Sequence, residues 1–183
     1  MYEHKTKNKV LCICEGNAEK EIMRLLMEHG LLKFTIDDLI DNDFLTGTNR
    51  KAKNIETRFL GQTYNEGQLI EIIRITDSKR ENFKINKDFN HKIEGITNCF
   101  TRPEIEILII IHEGHYDKFS KQKSHIKPSI YCETNFKNCK NIKQQGFILD
   151  YFSNIDDLVK ALKKYDEICS DKKGETIFSL LKI

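Results

Sequence analysis

Lys9-Val10-Leu11-Cys12-Ile13-Cys14-Glu15-Gly16-Asn17-Ala18-Glu19 is the stretch on which the fold turns. An apolar run of strand length stops abruptly at a carboxylate and a glycine, and a helical period begins at once. Ala18, Ile22, Leu25, Leu26 and His29 share one helix face. Asn17 is placed to cap, Glu19 and Glu21 suit the first turn, and Gly30 is a natural stop, which predicts a helix from about Asn17 to Glu28. A buried strand feeding a helix through a Glu-Gly turn puts Glu15 at the carboxyl edge of a sheet, where open α/β folds hold their ligands. Cys12 and Cys14 have the same parity, so both side chains face one side of that sheet.

Outward from there the pattern weakens and then returns. Between Phe34 and Asn65 the sequence predicts a helical turn at Ile36–Ile40, a loop at Thr46-Gly47-Thr48-Asn49 and a helix over Lys51–Phe59. Gln68–Thr76 is rich in β-branched residues and reads as a second strand, which also ends in an acid, Asp77. A further strand is expected near Ile93–Thr97. The run Pro103–His112 reads as a helix, with Thr101 as cap, Pro103 in the first turn, and Glu104 and Glu106 at the positive end. Ile105, Leu108, Ile109, His112, Tyr116 and Phe119 continue at helical spacing, and the other side is also apolar, so burial nearly all round is expected. Pro128 opens a shorter helix. Ile155, Leu158, Val159, Leu162 and Tyr165 mark another, with Asp156 and Asp157 at its start and Lys163 and Lys164 at its end. Thr176–Leu181 is the last candidate.

The expected class is therefore α/β: a small, mainly parallel sheet flanked by helices, with a mostly helical C-terminal third. Residues 1–183 read as one domain, residues 101–183 being a helical extension packed on the sheet. Apolar residues make up 39% and charged residues 32% of the chain, and no apolar run reaches membrane-spanning length. The N-terminus is polar and lacks a signal-peptide core, so a cytoplasmic protein with reduced thiols is expected. The net charge of +2 does not by itself argue for nucleic acid. The basic clusters Arg50/Lys51/Lys53/Arg58, Lys118/Lys121/Lys123/Lys127 and Lys137/Lys140/Lys143 read first as solvated faces.

Chemistry is concentrated in the strand-end acids. If the two confident strands are neighbours, Glu15 and Asp77 converge at one sheet edge and suit Mg²⁺ or Mn²⁺, which activates water for phosphodiester cleavage. Glu19, one helical turn beyond Glu15, points toward the same crevice. The plainer reading leaves Glu15 closing a turn, Glu19 favouring the helix dipole and Asp77 capping a turn. His112-Glu113-Gly114-His115 is one residue short of the zinc-protease spacing, and Cys132 and Cys139 are too far apart for a zinc hook, so no zinc site is expected. His112 reads instead as a hydrogen-bonded histidine on an apolar face. The chain contains neither a phosphate-binding P-loop motif nor a Gly-x-Ser-x-Gly elbow, which gives no support to a P-loop NTPase or a serine hydrolase.

Cys14-Glu15-Gly16-Asn17-Ala18-Glu19 after an apolar strand resembles the first motif of TOPRIM domains, as in the RloB-like and OLD-related proteins of bacterial phage defence. Ile75-Thr76-Asp77-Ser78-Lys79 resembles the second motif, a strand ending in Asp-x-Asp. Thr101-Arg102-Pro103-Glu104-Ile105-Glu106 resembles the later RloB-like segment. The likeness runs over about residues 8 to 115. It implies a metal-dependent nuclease of DNA or RNA in anti-phage defence, with Mg²⁺ or Mn²⁺ as cofactor. It also implies Glu15 as general acid/base or first metal ligand and Asp77 as metal ligand. A neighbouring ATPase or other defence protein is the implied partner, and self-association is compatible with it. The chain departs from the pattern at Lys79, which stands where the family has its second Asp. Either Glu19 or Glu106 then supplies the missing ligand, or Lys79 contacts the scissile phosphate. A third alternative is a non-catalytic subunit that binds nucleic acid or drives assembly.

Overall fold

In the computed structural model, which describes residues 8–65, 67–77, 83–169 and 175–182, the first apolar run forms β1 (Lys9–Cys14). It lies parallel to β2 (Ile70–Thr76), which lies parallel to β3 (Ile93–Phe100), giving the order β1-β2-β3 among the described residues. Cys14 is level with Ile75, so both strands end together at the carboxyl edge. The expected neighbour relation of the two acid-terminated strands is thus observed.

Both edges of the sheet are covered. Leu39 and Leu45 bridge to Val10 and Ile13 along the outer side of β1, and Glu175 bridges to Cys99 beside β3. Such cover leaves fewer open backbone groups for edge-to-edge pairing.

Helix α1 (Asn17–Glu28) follows β1 directly. Its N-cap is Gly16, not Asn17, which is the first helical residue. Gly16 donates its N–H to Glu19 Oε2 at 3.1 Å, so the third helical residue reaches back to tie the turn. Gly30, at φ +65°, ends the segment as expected. Ile36–Asp38 and Ile40–Asn42 are 3₁₀ turns. α2 (Ala52–Ile55) runs on into a π turn over Glu56–Leu60, matching the helix expected at Lys51–Phe59.

The single long helix expected from Pro103 is instead two short ones. The Arg102–Pro103 bond is cis, Glu106 is the N-cap, and α3 covers only Ile107–His112. Gly114, at φ +68°, breaks the period, and α4 restarts at Tyr116–Ser120. The apolar spacing survives because both helices turn toward the same core. Ile107, Leu108, Ile109 and Ile110 are buried, as the all-round apolar pattern requires.

Three further helices complete the chain: α5 (Pro128–Asn135), α6 (Phe147–Tyr151) and α7 (Ile155–Cys169). α7 passes Lys163 and Lys164 by about another turn, so those lysines lie within the helix and not at its end. Ile177–Leu180 is a final 3₁₀ turn. Strand alternation divides the apolar residues between two clusters. Val10, Cys12, Cys14, Ile73 and Ile75 join α1, α3 and α7 in the larger cluster. Leu11, Ile13, Ile70 and Ile72 join Ile40, Ile55, Phe59 and Leu60 in the smaller. The shared parity of Cys12 and Cys14 is as expected, and both thiols are buried and free.

Candidate active site at the carboxyl edge of the sheet

Where β1 ends, Glu15 donates its N–H to the Ile75 carbonyl at 3.0 Å, which continues the ladder for one more residue. Its carboxylate turns across the end of β2. Oε2 accepts the Thr76 hydroxyl and the Asp77 N–H, each at 2.8 Å. Oε1 lies 3.3 Å from Arg50 Nη1, and the same guanidinium reaches the Glu15 carbonyl at 3.4 Å. Burial alone would raise the Glu15 pKa. The Asp77 N–H, the Thr76 hydroxyl, the Asp77 side chain and the Arg50 charge outweigh it and hold the carboxyl below its ordinary value.

Asp77 shifts the opposite way. Burial, the Glu15 charge, a hydrogen bond to Glu15 and the Glu104 charge all raise its pKa, against a smaller effect of Arg102. Each carboxyl thus feels the other's charge, with Glu15 the readier to ionise and Asp77 the readier to keep a proton. Arg102 Nε donates to the Asp77 carbonyl at 3.0 Å and fixes the chain there.

Asp77 also opens onto a cleft of about 310 Å³ lined by Glu19, Glu21, Glu104, Glu106, Lys143 and neighbouring residues. Glu106 is buried, with Lys143 Nζ 2.5 Å from its Oε1. Glu104 accepts the Ser129 N–H at 3.1 Å and the Ser129 hydroxyl at 2.8 Å. Glu21 accepts the Gly146 and Ile148 N–H groups at 2.7 and 3.3 Å, which ties α1 to the start of α6. Glu19 is raised above its ordinary pKa by burial first, then by the Glu106 and Glu15 charges, against the N–H groups of the turn.

The sequence-derived set is thus divided. Glu15 and Asp77 are brought together. Glu19 and Glu106 feel each other's charge but lie in the adjoining cleft, and Glu19 spends an oxygen on Gly16. The reason is strand parity: Glu15 follows Ile13 and Leu11 toward the smaller core, beside Thr76, whereas the cleft acids belong to elements of the larger core. Among the described residues, no three His, Cys, Asp or Glu side chains are gathered closely enough to share one ion. Lys79 lies outside the described residues.

Two adjacent carboxylates nevertheless suit Mg²⁺, which is commonly held by one or two carboxylates with water and substrate phosphate completing its shell. Arg50 was not foreseen as a partner of Glu15, since a separation of 35 residues carries no periodic signal. Thr76 could have been found, because it precedes the strand-end acid and takes the parity that faces Glu15. His112 packs edge-on against Tyr151 and Phe152, and His115 Nδ1 is 3.2 Å from the Tyr131 hydroxyl. Both histidines thus belong to an aromatic cluster.

Comparison with models of protein families, with curated proteins and with solved structures found no match to this chain.

Proposed function

We propose that this protein is a Mg²⁺- or Mn²⁺-dependent nuclease that uses Glu15 and Asp77 in the TOPRIM manner. One observation carries the reading: the Glu15 carboxylate accepts the Asp77 N–H where two parallel strands end together, which sets two acids side by side with their proton affinities driven apart. Glu15, held ionised by Thr76, the Asp77 N–H and Arg50, accepts a proton from the attacking water. Asp77, on losing its proton, would hold the cation together with Glu15. Arg50, beside Glu15 and 41% exposed, offers a positive charge to a phosphate at this edge. A divalent ion supplies charge neutralisation at the phosphate when bound. A role in bacterial phage defence, beside an ATPase, rests on the motif resemblance alone.

The test compares wild-type protein and Glu15→Gln on mixed DNA and RNA substrates with Mg²⁺ or Mn²⁺. The variant is expected to lose roughly 10²–10⁴-fold in rate, the usual contribution of a general acid or base. Equal cleavage by both proteins, or none by either, overturns the catalytic reading.

A second reading, a non-catalytic nucleic-acid-binding or assembly subunit, is favoured by the Arg50–Glu15 pair, which partners the carboxylate without any ion. Calorimetric titration with Mn²⁺ separates the two. The nuclease binds the ion and loses it on Asp77→Asn, whereas the scaffold is indifferent to both.

A further inference from the structure

Next to the acid cleft lies a second basin, of about 330 Å³, lined by Lys137, Asn138, Lys140, Asn141, Phe147 and Asp150 and by Gln144 and Gln145. The two glutamines line both cavities, so the basin and the cleft adjoin at these side chains. The sequence gives the lysines here no special weight, but their setting does.

Three properties of the basin point the same way. Lys137 and Lys140 are exposed and have no ion pair with any described residue, so their charge is available to an anion. The side-chain amides of Asn138, Asn141, Gln144 and Gln145 make no hydrogen bond among the described residues, leaving donors and acceptors directed outward. Phe147 is half-buried and stacks on Tyr151, with centroids 5.8 Å apart and planes 24° apart, which makes it a supported aromatic surface. Cations for phosphate, amides for base edges and an aromatic face for stacking are the parts that recognise an unpaired strand. A duplex keeps its bases stacked inside and cannot use the aromatic face. Asp150, on the rim, repels phosphate and directs the backbone toward the lysine side.

We propose that this basin binds single-stranded nucleic acid and feeds it past Gln144 and Gln145 to the carboxylates. The binding claim stands on the basin alone; the delivery claim rests on the nuclease reading above.

The experiment measures fluorescence anisotropy of short fluorescein-labelled single strands, DNA and RNA, and of the matching duplex, without divalent ions. Wild-type protein is expected to bind the single strands more tightly than the duplex. Lys137→Glu/Lys140→Glu should weaken binding at least tenfold and flatten the log–log salt slope by about 1.4, since each single-strand phosphate contact contributes about 0.7. Phe147→Leu keeps an apolar side chain and should weaken binding by roughly fivefold, with the salt slope unchanged, as expected for the loss of one stacked base. Circular dichroism confirms that each variant is folded. Binding unaffected by the lysine double variant, a duplex held as tightly as the single strand, or no binding at all overturns the proposal. If the basin variants bind normally while Glu15→Gln abolishes cleavage, the basin is wrong and the nuclease stands. If the basin variants lose binding but no form cleaves, the reverse holds.

Discussion

On one face of the sheet, Cys12, Cys14, Ile73 and Ile75 lie under α1, α3 and α7. On the other, Leu11, Ile13, Ile70 and Ile72 lie under 3₁₀ turns and the short α2 with its π turn. The two covers hold their acids differently. The helical side buries Glu19 and Glu106 and gives each a fixed partner, Gly16 for one and Lys143 for the other. The thinner side leaves Glu15 29% exposed, beside an arginine that can swing away. A deeply packed layer suits anchoring, and a thinly packed one suits exchange of partners. On the proposed reading, this exposure favours Glu15 over the more deeply held Glu19 and Glu106.

The contrast can be broken by substitution. Ile109→Ala, within the helical layer, should cost about 3–5 kcal/mol in denaturant unfolding, the upper part of the range for such truncations. Ile72→Ala, under the thinner cover, should cost about 2–3 kcal/mol because looser turns relax into the gap. Equal losses would remove the mechanical distinction between the faces. Lys143→Met should cost about 1–2 kcal/mol at neutral pH by stranding the Glu106 carboxylate, less than for a fully enclosed pair because the lysine is 60% exposed.

On the thinner side the effects are smaller and depend on pH. Arg50→Gln should change stability by only about 0.2–1 kcal/mol, as for other exposed ion pairs. Arg50 helps to hold the Glu15 pKa down, so its removal should move the acid limb of the cleavage profile to higher pH. The stability contributed by ionised Glu15 is present above the ordinary carboxylate range and is lost as pH falls through its depressed folded value. In Arg50→Gln the folded value lies closer to the ordinary one, so that loss should be smaller and complete at a higher pH. Glu19→Gln tests the opposite sign. The folded Glu19 pKa is raised, so its contribution is complete below the ordinary range and is lost as pH rises through the folded value. The variant should therefore be the more stable protein at pH 7, and its advantage should shrink on acidification. A thermal melt series across pH checks both.

The sequence carries part of each face. β1, α1 and β2 could be read from periodicity and from residues such as Gly30, because local propensity and tertiary packing agree there. The break at Gly114 was obscured because two helices facing one core preserve a continuous apolar period. The residues before Ile107 form turns, despite the acids and proline that suit a helix start, and Arg102 there is held by Tyr165 from α7. Of the site, Glu15 and Asp77 are legible from strand ends. Arg50, Lys143 and the glutamine bridge are not, since their proximity depends on how distant loops close over the sheet.

Tyr165 links the far end of the chain to the reactive edge. Its hydroxyl receives the Arg102 N–H at 2.6 Å and donates to the Arg102 carbonyl at 3.2 Å, while the same arginine grips the Asp77 carbonyl. Tyr165→Phe keeps the buried ring that packs in the larger core but removes this tether. The final long helix thus sets the alignment of a centre to which it contributes no chemical group.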